Sequence, residues 1–183
     1  ALMLLQLERD SELDIPPGKR DFVVKDRFRL PVDVDVLAVY PHAHLLGKDL
    51  QGYATLPNGK KEWLVWIKDW DWNWQAVFRF AKPVSLPAGS VLEMCFTYDN
   101  SAENLRNPHQ PPQRVVGGNQ TSDEMSHLWV QVLPRSKQEA LVLDESIQRQ
   151  LLQKNPGAIE RRNRLGAVLY DQGRVDEAIA EFS

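Results

Sequence analysis

A single cysteine, Cys95, is present in the chain, which excludes an internal disulfide and leaves the redox compartment unspecified. There is no basic excess either: 22 Lys and Arg against 25 Asp and Glu give a net charge of -3, with the signs interspersed. Without a basic stripe to neutralise phosphates, nucleic acid is not an expected partner. Long apolar runs are also missing. The opening ALMLLQL is far shorter than the ~20 residues that span a bilayer, and it lacks the basic flank and cleavage site of a signal peptide. It reads as a buried strand. The chain does not begin with methionine and stops at EAIAEFS in mid-pattern, which reads as an excised part of a longer protein.

What is present suffices for a globular protein. With 183 residues, 43% hydrophobic and 26% charged, the chain can bury one core of about 130 residues and carry a smaller appendage. Up to about residue 134 the apolar pattern has period two, as in VDVDVLAVY, which alternates from Val32 to Val36 and continues into apolar residues. IPPGK (15–19), LPNGK (56–60) and LPAGS (86–90) each pair a proline with a following glycine and predict tight turns. YATLPNGKKEWLVWI therefore reads as a hairpin and VLEMCFTYDN as a core strand. Short strands punctuated this way predict a mainly β protein, a jelly-roll-type β-sandwich over residues 1–134.

Residues 135–183 change to helical patterning, as SKQEALVLDESIQRQLLQKNP and AIERRNRLGAVLYDQGRVDEAIAEF, divided at Asn155-Pro156. In the second stretch Leu165, Gly166, Leu169, Gly173, Ala178 and Phe182 have the spacing LGxxLxxxGxxxxAxxxF. It resembles one tetratricopeptide repeat, although Arg162 stands where such repeats usually carry a large aromatic. A plain helical hairpin is the competing reading. The resemblance implies an α-helical hairpin, a truncated array continuing downstream, and a protein partner bound through the repeats.

The chemistry-bearing motif is YPHAHLLGK. Two histidines one residue apart, at the end of a predicted strand, share a face if the strand continues through residue 44, because side chains alternate with period two. Such a pair alone is more often strand-end decoration than a metal site. A cupin would need a glutamate four or five residues beyond the second histidine, where Lys48 and Asp49 stand. A hydrolase barrel would need alternating helices. The third reading adds the distant segment TSDEM. Together, HAHLLGK and TSDEM followed by a strand resemble the second domain of the copper type II, ascorbate-dependent monooxygenases, the family of peptidylglycine α-hydroxylating and dopamine β-monooxygenases.

That resemblance implies copper held by His42, His44 and Met125, ascorbate as electron donor, oxygen activation, and hydroxylation of a C–H bond of a small organic substrate. It also implies a periplasmic or secreted location. The residue types suit the task, since imidazole accommodates copper in both oxidation states and a thioether favours Cu(I). Read without the family, Met125 is equally a core methionine of MSHLWVQVL. The long stretch from Asp99 to Glu124, with Pro108, Pro111, Pro112, Gly117 and Gly118, has no periodicity and reads as a functional loop or as disorder.

Departures from the family pattern narrow the substrate. Where peptide-amidating members carry an arginine, an asparagine and a tyrosine that anchor a carboxylate, this chain has Tyr40, His127 and Trp129. A peptidylglycine substrate is therefore not expected, and these three residues are candidates for the substrate pocket or for support of the metal ligands. His127 is equally a fourth ligand or an ordinary, partly exposed histidine. The family's disulfide to the residue after the methionine is absent, because Ser126 stands there opposite Cys95. Only His109 and His127 remain besides the pair, too few for the family's second copper, which is held by three histidines.

KDWDWNWQ invites comparison with a calcium loop, but Trp74 and Phe80 occupy the places of the required glycine and glutamate. Trp70, Trp72 and Trp74 are instead expected along one face of a strand, as core or as an aromatic wall beside the pocket. The leading functional reading is a copper-dependent monooxygenase. The alternative is a non-catalytic copper-binding or interaction module.

Overall fold

The computed structural model describes residues 2–182. Ten strands precede three helices: β1 (Met3–Glu8), β2 (Asp14–Ile15), β3 (Phe22–Arg29), β4 (Val34–His42), β5 (Gly47–Thr55), β6 (Lys61–Ile67), β7 (Phe78–Leu86), β8 (Val91–Tyr98), β9 (Val115–Val116) and β10 (His127–Pro134), then α1 (Lys137–Lys154), α2 (Ile159–Asp171) and α3 (Val175–Phe182). The strands form two four-stranded antiparallel sheets, ordered β1-β10-β4-β7 and β3-β8-β5-β6, with β2 and β9 as a separate pair. This is the expected mainly β sandwich with a helical end.

Period-two patterning explains the sandwich. Leu5 and Leu7 of β1, Val36 of β4 and Leu128, Val130 and Val132 of β10 point inward and meet Val24, Phe28, Leu50, Leu92, Met94 and Phe96 of the other sheet in one core. The alternate residues of the first sheet, including Tyr40, His42, His127 and Trp129, lie half-buried on its outer face. The opening segment differs from expectation. β1 is an edge strand paired only with β10, so Leu5 and Leu7 are buried but Leu4 stays 62% exposed.

Turn chemistry does what the sequence suggests. In the β5–β6 hairpin, Gly59 adopts φ +83°, Gly59 N–H donates to the Leu56 carbonyl, and Asn58 Oδ1 accepts the Lys60 amide at 2.9 Å. Ser136 caps α1 by accepting the Glu139 amide at 3.1 Å. α1 packs on the sandwich through Leu143 and Ile147, which join the main core. Its end is tied down where Lys154 Nζ meets the buried Asp26 carboxylate at 2.5 Å. α2 and α3 form a smaller cluster of Leu165, Leu169 and Ala178. No described helix is long and apolar enough to cross a membrane.

The three tryptophans of KDWDWNWQ do not share a strand face. Residues 68–77 form a loop, in which Asp71 Oδ1 accepts both the backbone and side-chain N–H of Asn73 and turns the chain. Trp70 is fully buried, Trp72 is half-buried and Trp74 is 77% exposed. Local hydrogen bonding by Asp71 overrides the alternation that suggested a strand.

Candidate metal centre

β4 ends at His42, not at residue 44. His42 occupies the last rung of the first sheet, opposite His127. The backbone then leaves the ladder because a side chain captures it. Glu124, fully buried, accepts the amide of His44 through Oε1 and that of Leu46 through Oε2 at 2.9 Å. Trp70 Nε1 donates to the His44 carbonyl at 3.0 Å. Gly47 makes room for that indole, since a Cβ there would sit 2.6 Å from Trp70. His44 is thus buried, 5% exposed, with its own backbone N–H and C=O both hydrogen-bonded.

The two imidazoles still come together. Their centroids are 5.2 Å apart and the rings are nearly perpendicular, at 84°. Each ring is oriented by a partner at Nδ1. His44 Nδ1 lies 3.0 Å from the Asp123 carbonyl, an acceptor only, so that nitrogen carries the proton. His42 Nδ1 lies 2.5 Å from Gln75 Oε1, which also accepts the Tyr40 hydroxyl at 3.2 Å. Gln75 Nε2 in turn donates to the Trp72 carbonyl at 2.9 Å, fixing which end of the amide faces the ring. In both histidines Nε2 is left as a bare lone pair, the state in which imidazole binds a metal. Burial lowers the His42 pKa below its usual value, with repulsion from His44 and His127 adding to it against the Gln75 hydrogen bond. The neutral form is favoured.

The backbone of Met125 is held beside that of His44 by the same carboxylate. Glu124 Oε1, which holds the His44 amide, also accepts the Met125 amide at 2.8 Å, and the Tyr98 hydroxyl donates to the Met125 carbonyl at 2.8 Å. Burial pushes the Glu124 pKa up to about 8, against three backbone amides that favour its charged form. Two oriented imidazoles and a nearby thioether-bearing residue fit a soft, redox-active ion such as copper.

His127 turns elsewhere. Its Nε2 donates to Asp10 Oδ2 at 2.7 Å, and its ring packs edge-on against Trp129 at 4.8 Å. It stays 6.2 Å from His42 between centroids. Among the described residues, His42, His44 and His127 do not form a three-histidine cluster, whereas His127 groups with Glu8 and Asp10. Tyr40 and Trp129 stack on each other at 5.3 Å beside His42. Ser126, which stands in place of a cysteine, binds Asp10 and accepts the Arg9 amide, and Cys95 is a free thiol.

Sequence reasoning missed Glu124, Gln75 and Asp10. Glu124 lay inside the quoted DEM motif, but its burial depends on contacts 80 residues away. Gln75 and Asp10 had no signal in the sequence. The Gln75 contact is testable: Gln75→Ala releases the His42 ring and should weaken copper binding by about 10–100-fold, the effect typical of supporting partners, measured by competition with a chelator.

Residues 1–155 match the family model described as copper type II ascorbate-dependent monooxygenase, C-terminal domain. No curated protein matches the chain. Among solved structures, one of infectious bursal disease virus, Gx strain, is similar over 75% of this chain and 33% of that chain, at 8% identity and a TM-score of 0.31. The chain spans about a third of that viral chain, and a likeness at this level carries no functional argument.

Proposed function

Because the chain belongs to the copper type II, ascorbate-dependent monooxygenase family, we propose that His42 Nε2, His44 Nε2 and the Met125 thioether hold one copper ion and that the domain hydroxylates a small organic substrate. The observation that carries this reading is the pair of Nδ1 contacts, to Gln75 and to Asp123, which leave both Nε2 atoms free. Bound copper would supply one-electron chemistry and oxygen activation, which no side chain of this set supplies alone. The chain's own residues orient and shield: Gln75 and the Asp123 carbonyl set both tautomers, and Glu124 fixes the spacing of the His44 and Met125 backbones.

The substrate is assigned to a groove of about 240 Å³ on the outer face of the first sheet, lined by Leu4, Val77, Tyr40, Trp129, Arg79 and Gln131 among others. Tyr40 and Trp129 form its wall on the His42 side, 6.2 and 6.3 Å from the His42 ring. The lining contains a cation and no acid. Arg79 pairs with Ala38 across the β4–β7 ladder, and His42 lies four residues further along the strand than Ala38, roughly 13 Å. An apolar or aromatic body on the wall with an anionic end at Arg79 matches that layout, whereas an amine would find no counter-charge.

Copper uptake by the apoprotein, followed by oxygen consumption with ascorbate, tests the function. One copper per chain and ascorbate-dependent turnover, both lost in Met125→Leu and His42→Ala, are expected. Copper uptake without turnover would favour a non-catalytic copper module. Arg79→Ala should raise KM for a carboxylate substrate at least ~10-fold while leaving KM for its neutral amide within about 2-fold, since a charge-assisted hydrogen bond is worth roughly 1.5–3 kcal/mol.

A further inference from the structure

A second set of ligand-type side chains lies one strand away from the histidine pair. Glu8, the last residue of β1, stands opposite His127 in the β1–β10 ladder, and Asp10 begins the short helical turn that follows. One carboxylate oxygen from each acid and a ring nitrogen of His127 lie within 4.8 Å of one another. His127 Nε2 and Asp10 Oδ2 are hydrogen-bonded at 2.7 Å, and they need to part only to roughly 3.4 Å to sit tetrahedrally around one ion at ~2.1 Å. The other Asp10 oxygen is fixed by the Ser126 amide and hydroxyl, at 2.8 and 3.2 Å. Oδ2 is thereby left for the cluster.

The charge here is unbalanced. Arg9 and Lys154, the cations on the adjoining elements, are committed to Asp26 and Glu12. The Glu8 carboxylate receives only the Asp10 amide, at 3.4 Å, and no cation among the described residues. Two half-buried carboxylates this close repel each other, and a divalent ion removes the repulsion where a proton on His127 neutralises only one of them.

We propose that Glu8, Asp10 and His127 form a second metal site, which takes Zn²⁺ and links β1 to β10 beside the copper centre. One imidazole and two carboxylates suit zinc, with water in the fourth position. The set is poor in the soft donors that Cu(I) prefers, and Ca²⁺ and Mg²⁺ seek shells built of oxygen alone. Manganese accepts the same donors but stands lower in the affinity order.

The test must separate this site from the copper centre, on whose ligand assignment its distinctness rests. Apoprotein of the His42→Ala/His44→Ala variant is titrated with Zn²⁺, and bound metal is counted by elemental analysis after gel filtration. One zinc per chain is expected. Adding Glu8→Gln, whose side chain makes a single long contact, should abolish that equivalent, and so should Asp10→Asn, with thermal melting as the check on folding. In the otherwise native chain loaded with Cu(I), Glu8→Gln should leave the copper count at one while removing the zinc. No zinc in the double histidine variant, zinc that survives both acid substitutions, or tighter binding of Mn²⁺ than of Zn²⁺ would each overturn the proposal. Failure of the native chain to take copper, with zinc binding intact, would overturn only the copper assignment.

Discussion

His44→Ala should abolish ascorbate-dependent oxygen consumption and weaken Cu(I) binding by well over ~100-fold, more than loss of any supporting partner costs. The size of the effect follows from where the residue sits. The His44 backbone is held by Glu124 and Trp70 and its ring by Asp123, so no neighbouring imidazole can swing into its place. His127, the nearest alternative on the strand, is engaged with Asp10. The fold should survive, because the Glu124 and Trp70 contacts are made by the His44 backbone and not by its ring. Chelator competition for Cu(I), with a melting curve as control, reads both. Wild-type copper affinity in the folded variant would remove His44 from the ligand set.

The second large effect is on stability. Glu124→Ala should destabilise the protein by roughly 3–9 kcal/mol, because the amides of His44, Leu46 and Met125 lose their acceptor inside the protein and each stranded donor costs about 1–3 kcal/mol. For a chain of this size that corresponds to a fall in Tm of ~6 °C or more. Glu124→Gln keeps one oxygen for the His44 and Met125 amides but turns an N–H₂ toward the Leu46 amide, so an intermediate loss is expected. The two variants together distinguish the role of the acceptors from that of side-chain volume. A Tm within about 2 °C of wild type for Glu124→Ala would mean that the clamp contributes nothing.

Much of the fold was legible because it is written in local rules. The alternation from Val32 to Val36 and the glycine at the tip of LPNGK each act within a few residues, and each has its expected structural counterpart. Local rules also explain the failures. Alternating tryptophans looked like a strand, but the hydrogen bonds of Asp71 to Asn73 made a loop. The apolar opening looked like a buried strand, but β1 lies at the sheet edge with only its inward face covered, and Leu4 on the other face stays exposed.

The site divides along the same line. His42, His44 and Met125 stand out as candidates from two motifs in the right order, but the contacts that hold the two rings and the Met125 backbone are not legible there. Glu124 gives no sign in its neighbours that it lies fully buried and reaches back to residue 44, nor does Gln75 reveal that it will orient His42.

By itself the sequence determined the class of fold, the turns, the helical end and the residue types available to a metal, because period, propensity and donor chemistry are properties of the chain at short range. The tertiary structure alone decided which nitrogen of each histidine is free, that His127 faces Asp10 and not the pair, and that one carboxylate gathers the amides of His44, Leu46 and Met125. Those outcomes depend on which groups lose water together when two sheets close over distant segments, and that is fixed only once the whole core has formed.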